Sequence, residues 1–165
     1  YKAFRQYNFR LFIGKFIRNN TKNNTYDFST SSISDYTYSS NLLGRSENEG
    51  FFSQQYFKND AGFKSKINPL FSNDYVVSLN SGITIWKWFE GYFDYGIFKN
   101  KGEKLKTGYD TGLKVNIIEN YLELYFPILN SDKYILNSNN YSKNIRFTLA
   151  LDTENLTNLF TRRWF

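Results

Sequence analysis

The chain has 165 residues, a net charge of +6 and an aromatic content of 21%, and its length suffices for a single domain with a sizeable core. It contains neither Cys nor His, which excludes disulfides, thiolate metal sites, histidine-based triads and the common zinc sites. No run approaches the roughly 20 apolar residues of a transmembrane helix, so a helical membrane protein is excluded. Because the chain begins at Tyr1 and contains no Met, we expect it to be part of a longer polypeptide.

The densest basic run lies at 99–106, and the other Lys and Arg residues are scattered among Asn, Ser and Thr. Such a run can contact phosphate or an anionic lipid head group. A solvated hairpin loop is the interpretation we adopt, and we predict no nucleic-acid partner.

The first half of the chain carries weak strand signals. Residues 7–17 alternate, with Phe9, Leu11 and Ile13 on one face and Arg10 on the other. A polar loop at 18–25 follows. The remaining predictions in this half are two weaker strands, a loop, and two segments that form strands or one bent hairpin: 26–30, 36–38, 43–50, 51–58 and 61–67.

From residue 76 the alternation sharpens. Apolar residues recur at every second position in five segments, which predicts strands with one apolar and one polar face. The five segments are 76–86, 90–98, 109–117, 122–128 and 144–151. Residues 153–163 change period and fit a short amphipathic helix with Thr153 as its N-cap.

Residues 109–128 predict a hairpin whose register follows from parity, because the apolar residues of both halves must share one face. The resulting cross-strand pairs are Ile117–Leu122, Asn116–Glu123, Val115–Leu124, Lys114–Tyr125 and Leu113–Phe126. The loop is then 118–121, and Lys114 lies diagonal to Glu123.

The connections between the predicted strands alternate in length. They are short after residues 86 and 117 and long after residues 98 and 128. Short turns on one side and long loops on the other are typical of outer-membrane barrels, and strands of about 9 to 11 residues have the length to cross the hydrocarbon. We therefore predict an all-β, antiparallel, up-and-down transmembrane β-barrel, or its C-terminal portion, with about eight visible strands and a single barrel domain over 1–165.

The outward faces of these strands carry almost no charge, since the exceptions, Lys15 and Lys87, lie at strand ends. On this interpretation five aromatic residues collect at the short-turn end, where an interfacial girdle belongs: Trp86, Trp88, Phe89, Trp164 and Phe165. A soluble antiparallel β-sandwich also has one apolar face per strand. A sandwich used for adhesion or ligand binding is therefore the alternative.

The inward faces carry mixed charge, which we predict to form a polar network in the lumen. Its members are Arg10, Asp94, Asp110, Lys114, Glu123 and Arg146. Asp94 and Glu123 as a general acid and base, or Lys114 and Arg146 as a selectivity ring, are further interpretations. We adopt the structural network, with Gly82 as the register neighbour of Asp94, and we expect no catalytic residue, cofactor or metal in this chain.

Three glycines share the inward face: Gly82, Gly96 and Gly112. Glycine in a strand often marks a place where another group approaches closely. We expect these three to admit bulky neighbours such as Tyr92, Trp86 and Phe98.

Short motifs in the second half occur in a familiar order: Phe93-Asp94-Tyr95-Gly96, Gly112-Leu113-Lys114-Val115, Leu122-Glu123-Leu124-Tyr125-Phe126-Pro127 and Arg146-Phe147-Thr148-Leu149. This order resembles the last strands of the bacterial surface antigen superfamily, which are barrels that insert or translocate other proteins.

A second set of motifs covers roughly the last two thirds of the chain: Ile85-Trp86-Lys87-Trp88, Tyr109-Asp110-Thr111-Gly112, Glu123-Leu124-Tyr125-Phe126-Pro127, Ile145-Arg146-Phe147 and Arg162-Arg163-Trp164-Phe165. It resembles more closely the C-terminal region of large Bacteroidota proteins of the membrane alanyl aminopeptidase-like zinc peptidase type.

The resemblance implies that a catalytic HExxH helix lies upstream of Tyr1 and that this segment is the membrane-embedded C-terminal part, without hydrolytic activity of its own. With the loop pattern, it leads us to expect an anchoring role in the bacterial outer membrane. The expected partners are the lipid bilayer and either other outer-membrane or periplasmic subunits or the upstream part of the same chain. In such barrels the terminal Trp164-Phe165 should lie on the last strand, whereas 152–161 interrupts the alternation. The tail is then a periplasmic interfacial helix, or the strand resumes after it.

Overall fold

A curled antiparallel sheet organises the protein in the computed structural model, which describes residues 5–23, 25–30, 49–118 and 121–149. In chain order the strands are β1 (Tyr7–Lys15), β2 (Phe28–Ser29), β3 (Phe71–Ser72), β4 (Tyr75–Trp86), β5 (Phe89–Lys99), β6 (Lys106–Ile118), β7 (Leu122–Asn130) and β8 (Arg146–Leu149), with 3-10 helices at Phe51–Gln54 and Tyr141–Asn144. Six strands form one sheet in the order β1-β4-β5-β6-β7-β8, and β2 pairs with β3 in a separate sheet. The large sheet is a half-barrel, so the predicted all-β antiparallel fold is confirmed at this level.

The connections of the large sheet follow the predicted alternation. β4 ends at Trp86 and β5 begins at Phe89, while β6 ends at Ile118 and β7 begins at Leu122, so the two connections at one end are short. The connections from β1 to β4, from β5 to β6 and from β7 to β8, at the other end, are longer. Within the described ranges, no helix combines the length and the apolar character needed to cross a bilayer.

Several predictions for the first half of the chain are wrong. Residues 51–58 and 61–67 are not strands, and Phe28–Ser29 belongs to the small sheet instead of the large one. In these segments side chains form hydrogen bonds with backbone groups that would otherwise pair with a neighbouring strand. For example, the backbone N–H of Gly62 donates to Asn59 Oδ1 at 2.6 Å. The predicted strand at 36–38 and the predicted helix at 153–163 lie outside the described residues.

The register of β6 and β7 is close to the prediction. Four of the five predicted pairs are confirmed, and the fifth is wrong because Leu122 pairs with Ile118 instead of Ile117. A register shift after Asn116 inserts one extra residue, as in a β-bulge, and this carries β6 one residue further before the turn.

A second irregularity, after Thr84, changes the pairing of β4 with β5. Asp94 lies opposite Asn80, not opposite Gly82 as predicted. The difference is two residues, so Asn80 and Gly82 still share the inward face. One of the two residues comes from the bulge and the other from the turn, where Trp86 already pairs with Phe89. Asp94 therefore has a different neighbour and stays on the same side of the sheet.

The inward face is covered by residues 55–67, here called the plug segment. Its Phe63 and Ile67 are fully buried in the main apolar cluster with Val76 and Phe98. The segment follows the edge of β8, where Gln55 forms a parallel bridge with Phe147.

Inward glycines make room for these side chains. A Cβ on Gly96 would lie 3.0 Å from the ring of Phe63, and one on Gly108 would lie 2.8 Å from Ile67. Phe98 contacts Gly96 and Tyr92 contacts Gly112 as predicted. Trp86, in contrast, is 71% exposed and does not pack against an inward glycine. These glycines are what allow the plug segment to lie directly on the sheet.

Gly112→Ala tests the close packing at a further register shift between β6 and β7, which lies between Thr111 and Gly112. The added Cβ would lie 2.7 Å from Tyr92 Oη and 2.9 Å from Pro127 Cα, and backbone cannot move aside as a flexible side chain can. We expect the free energy of unfolding to fall by about 1–3 kcal/mol, measured by urea denaturation.

Gly91→Ala is the matched control on the opposite face, because its Cβ would lie 3.5 Å from Ile85, an ordinary contact. Equal stability of the two variants would contradict the packing described for Gly112.

Candidate functional site in the concave face

The concave face contains a polar cleft of about 520 Å³. It lies in the half of the sheet nearer the short turns, because Gly82 and Glu90 are close to the β4–β5 turn at 87–88. Its charged lining consists of Arg10, Lys58, Lys64, Lys114, Glu90 and Glu123. The inward parity of the strands and the plug segment together bring these side chains into one place.

A buried ion pair fixes the plug segment to the sheet. Lys64 Nζ lies 2.7 Å from Asp94 Oδ2, and the Asp94 side chain is 0% exposed. Asn80 donates a further hydrogen bond to Asp94 Oδ1 at 3.0 Å. Two donors therefore compensate a carboxylate that would be costly to bury alone.

Asp110, the cross-strand neighbour of Asp94, holds the backbone of the same segment. Its Oδ2 accepts the N–H groups of Lys64 at 3.0 Å and Ser65 at 2.7 Å. Asn130 adds hydrogen bonds to Ser65 Oγ and to the Lys66 carbonyl. Irregular backbone is thereby satisfied by strand side chains, as a buried loop requires.

Lys114 organises a second cluster toward the short turns. Its Nζ lies 2.9 Å from Glu90 Oε2 and 3.2 Å from Glu123 Oε1, which confirms the predicted diagonal contact with Glu123. Tyr125 donates its hydroxyl to Glu123 at 2.5 Å, and Asn116 donates to Glu90 at 2.9 Å. Both carboxylates are therefore engaged by partners on neighbouring strands.

Arg10 reaches the cleft from β1. It donates to Asn80 Oδ1 at 2.9 Å and to the Asn59 carbonyl at 3.2 Å. Through Asn80 it joins the Asp94 cluster. Arg146 lies apart from this cluster. It donates a hydrogen bond to the carbonyl of Ser53 at 3.0 Å, two residues before the plug segment begins.

Three tyrosines separate the two charged clusters. The ring of Tyr125 lies 5.3 Å from that of Tyr56 and 6.0 Å from that of Tyr92, both edge-on. The Tyr56 hydroxyl donates to the Gly62 carbonyl at 3.0 Å, and burial raises the Tyr56 pKa far above its ordinary value. Tyr56 is therefore a neutral hydrogen-bond donor that supports the plug segment.

The structure thus places five of the six predicted network residues on two adjoining clusters, Arg10–Asp94–Asp110 and Lys114–Glu123, and it places Arg146 outside both. Sequence reasoning missed Lys64, Asn80 and Glu90. Parity alone could have indicated Asn80 and Glu90, since both lie on the inward rows of their strands.

Trp86, Trp88 and Phe89 are exposed around the β4–β5 turn, at the short-turn end. Trp164 and Phe165 lie outside the described residues. Within the described ranges, no group of three acidic side chains is arranged to hold a metal ion. Comparisons with protein-family models, with curated proteins and with solved structures found no match to this chain.

Lys64→Met tests the ion pair that holds the plug segment. It would leave the buried Asp94 carboxylate without its cation, so we expect the free energy of unfolding to fall by about 3–5 kcal/mol. The double variant Lys64→Met/Asp94→Asn should recover part of this loss, because no buried charge remains. Urea denaturation of the four proteins of the cycle provides the coupling energy.

Lys106→Met is the matched control, since Lys106 pairs with Glu103 at 2.9 Å where both side chains are exposed. If Lys64→Met were no more destabilising than Lys106→Met, the plug segment would not depend on Asp94.

Proposed function

We infer that this chain is a membrane-embedded portion of an antiparallel β-barrel in the bacterial outer membrane and that it anchors a larger assembly there. The observation that carries this proposal is the convex face of the large sheet, which is apolar, uncharged between the strand ends and open to its surroundings.

The convex row of β1 shows this most clearly. Phe9, Leu11 and Ile13 are each more than 60% exposed. The apolar face continues across the neighbouring strands, where large side chains are again exposed: Leu79, Ile85, Phe93, Tyr95, Leu113 and Leu149. Soluble monomers rarely expose a contiguous apolar patch of this extent, whereas the lipid-facing band of a barrel consists of such residues.

Charge distribution supports the same proposal. On the convex rows of the described strands, the charged residues are Lys15 and Lys99, and each is the last residue of its strand. The concave rows instead carry the paired Asp94, Lys114 and Glu123. Charges at the bilayer midplane are costly, and a barrel places them toward the lumen.

The sheet must be completed for this role. Among the described residues β1 has β4 on one side and no strand on the other, and an open edge would leave backbone groups unsatisfied in hydrocarbon. Further strands from the same polypeptide or from a partner subunit would close the barrel. The exposed Trp86 and Trp88 would then lie at the periplasmic interface, where short turns belong.

The motif resemblance adds a proposal about the whole polypeptide. This segment would be the C-terminal anchor of a zinc peptidase whose catalytic helix lies elsewhere, and it would contribute attachment instead of hydrolysis.

Leu79→Arg distinguishes lipid contact from water contact. Leu79 is mid-strand and 42% exposed, so an arginine there would be nearly neutral in water. In a bilayer it should lower the free energy of unfolding by about 2–4 kcal/mol near the midplane. The measurement is guanidinium unfolding of the chain reconstituted in lipid vesicles.

Ile85→Arg is the depth control, because Ile85 adjoins the short turn and is 59% exposed. Its expected cost is about 0–1 kcal/mol, the value for interfacial positions. Equal, negligible costs at both positions would show that the convex face meets water.

A further inference from the structure

Basic side chains outnumber acidic ones on the surface of the cleft. Four basic side chains and two acidic ones line it: Arg10, Lys58, Lys64, Lys114, Glu90 and Glu123. Lys114 forms ion pairs with both lining carboxylates, Glu90 and Glu123. Lys64 forms an ion pair with the buried Asp94. Within the described part of the chain, neither Arg10 nor Lys58 forms an ion pair of its own with a carboxylate.

Arg10 is held in place by neutral oxygens. Its two terminal nitrogens donate to Asn80 Oδ1 and to the Asn59 carbonyl, which fixes the guanidinium without neutralising it. Arginine has five N–H donors in a fork that matches carboxylate and phosphate oxygens. A positioned guanidinium with remaining donors is a preorganised site for such a group.

Lys58 adds a second cation from the plug segment. Partial desolvation, together with the charges of Arg10 and Lys64, lowers the pKa of Lys58 below its ordinary value, and Glu123 acts in the opposite direction. All three cations line the same cleft, so their like charges are unfavourable to one another. An anion in the cleft would relieve that repulsion and would hold Lys58 in its charged form.

We propose that the cleft binds a small organic oxyanion, with Arg10 and Lys58 contacting its carboxylate or phosphate group. A volume of about 520 Å³ lies within the range of ordinary ligand sites and accommodates a ligand of monosaccharide size. Tyr125 and Thr148 also line the cleft, and they offer an aromatic edge and a hydroxyl to the uncharged part of the ligand. This inference does not require the convex face to contact lipid. Anion binding can therefore be absent while the anchoring role is correct, and anion binding can be present while the anchoring role is wrong.

The test uses three hexose probes of similar size: glucuronate, glucose 6-phosphate and glucose. Isothermal titration calorimetry on the folded 165-residue chain should show binding of at least one anionic probe at millimolar concentration and none of glucose. Whichever anion binds more tightly identifies the carboxylate or the phosphate as the preferred group. Affinity should also fall as salt is added.

Lys58→Gln should weaken binding of the anionic probe about tenfold, the scale of one charge-assisted hydrogen bond. Arg10→Gln should weaken it at least as much. Lys58 is exposed and Lys58→Gln is expected to fold normally, so it keeps the test valid even if Arg10→Gln unfolds. Lys104→Gln, in the exposed loop at 100–105, makes the same charge change away from the cleft and should bind like the unaltered chain.

Three results would overturn the proposal. They are equal binding of glucose and the anions, absence of binding by either anion, and equal affinity of Lys58→Gln and Lys104→Gln for the anionic probes.

Discussion

The structure depends on one constraint: every paired charge of the large sheet lies on its concave face. A strand turns successive side chains to opposite sides, so the alternation of β4, β5 and β6 places their carboxylates and Lys114 on the concave side. The carboxylates of Asp94 and Asp110 can then be buried, because the plug segment brings Lys64 and two backbone N–H groups to them. The convex face retains only uncharged side chains between its strand ends.

The plug segment and the cleft are consequences of the same arrangement. Inward glycines such as Gly96 and Gly108 let Phe63 and Ile67 pack directly on the sheet at the long-loop end. Toward the short turns, Tyr56 and Lys58, near the start of the plug segment, line the cleft. One half of the concave face is thus a packed core, while the other half is a charged cleft.

Sequence patterning predicted what depends on local periodicity. The apolar and polar faces of 76–128 followed from parity, and so did the register that joins Lys114 to Glu123. Bulges after Thr84 and Asn116 were not predictable, because no residue type marks them. The plug segment was missed for another reason. Its backbone is held by Asp110 and Asn130, which are far away in sequence, so no local period records its conformation.

The central claim, that the convex face contacts acyl chains, is most directly tested by spin labelling, because the chain has no Cys to interfere. Single labels at Leu79→Cys and Leu113→Cys would report the convex face, and one at Gly82→Cys would report the cleft. In vesicles, relaxation by oxygen but not by a water-soluble nickel chelate is expected at the two convex positions, and relaxation by the chelate at Gly82. Strong relaxation by the chelate at Leu79 and Leu113, or shielding of both from either reagent, would contradict the account.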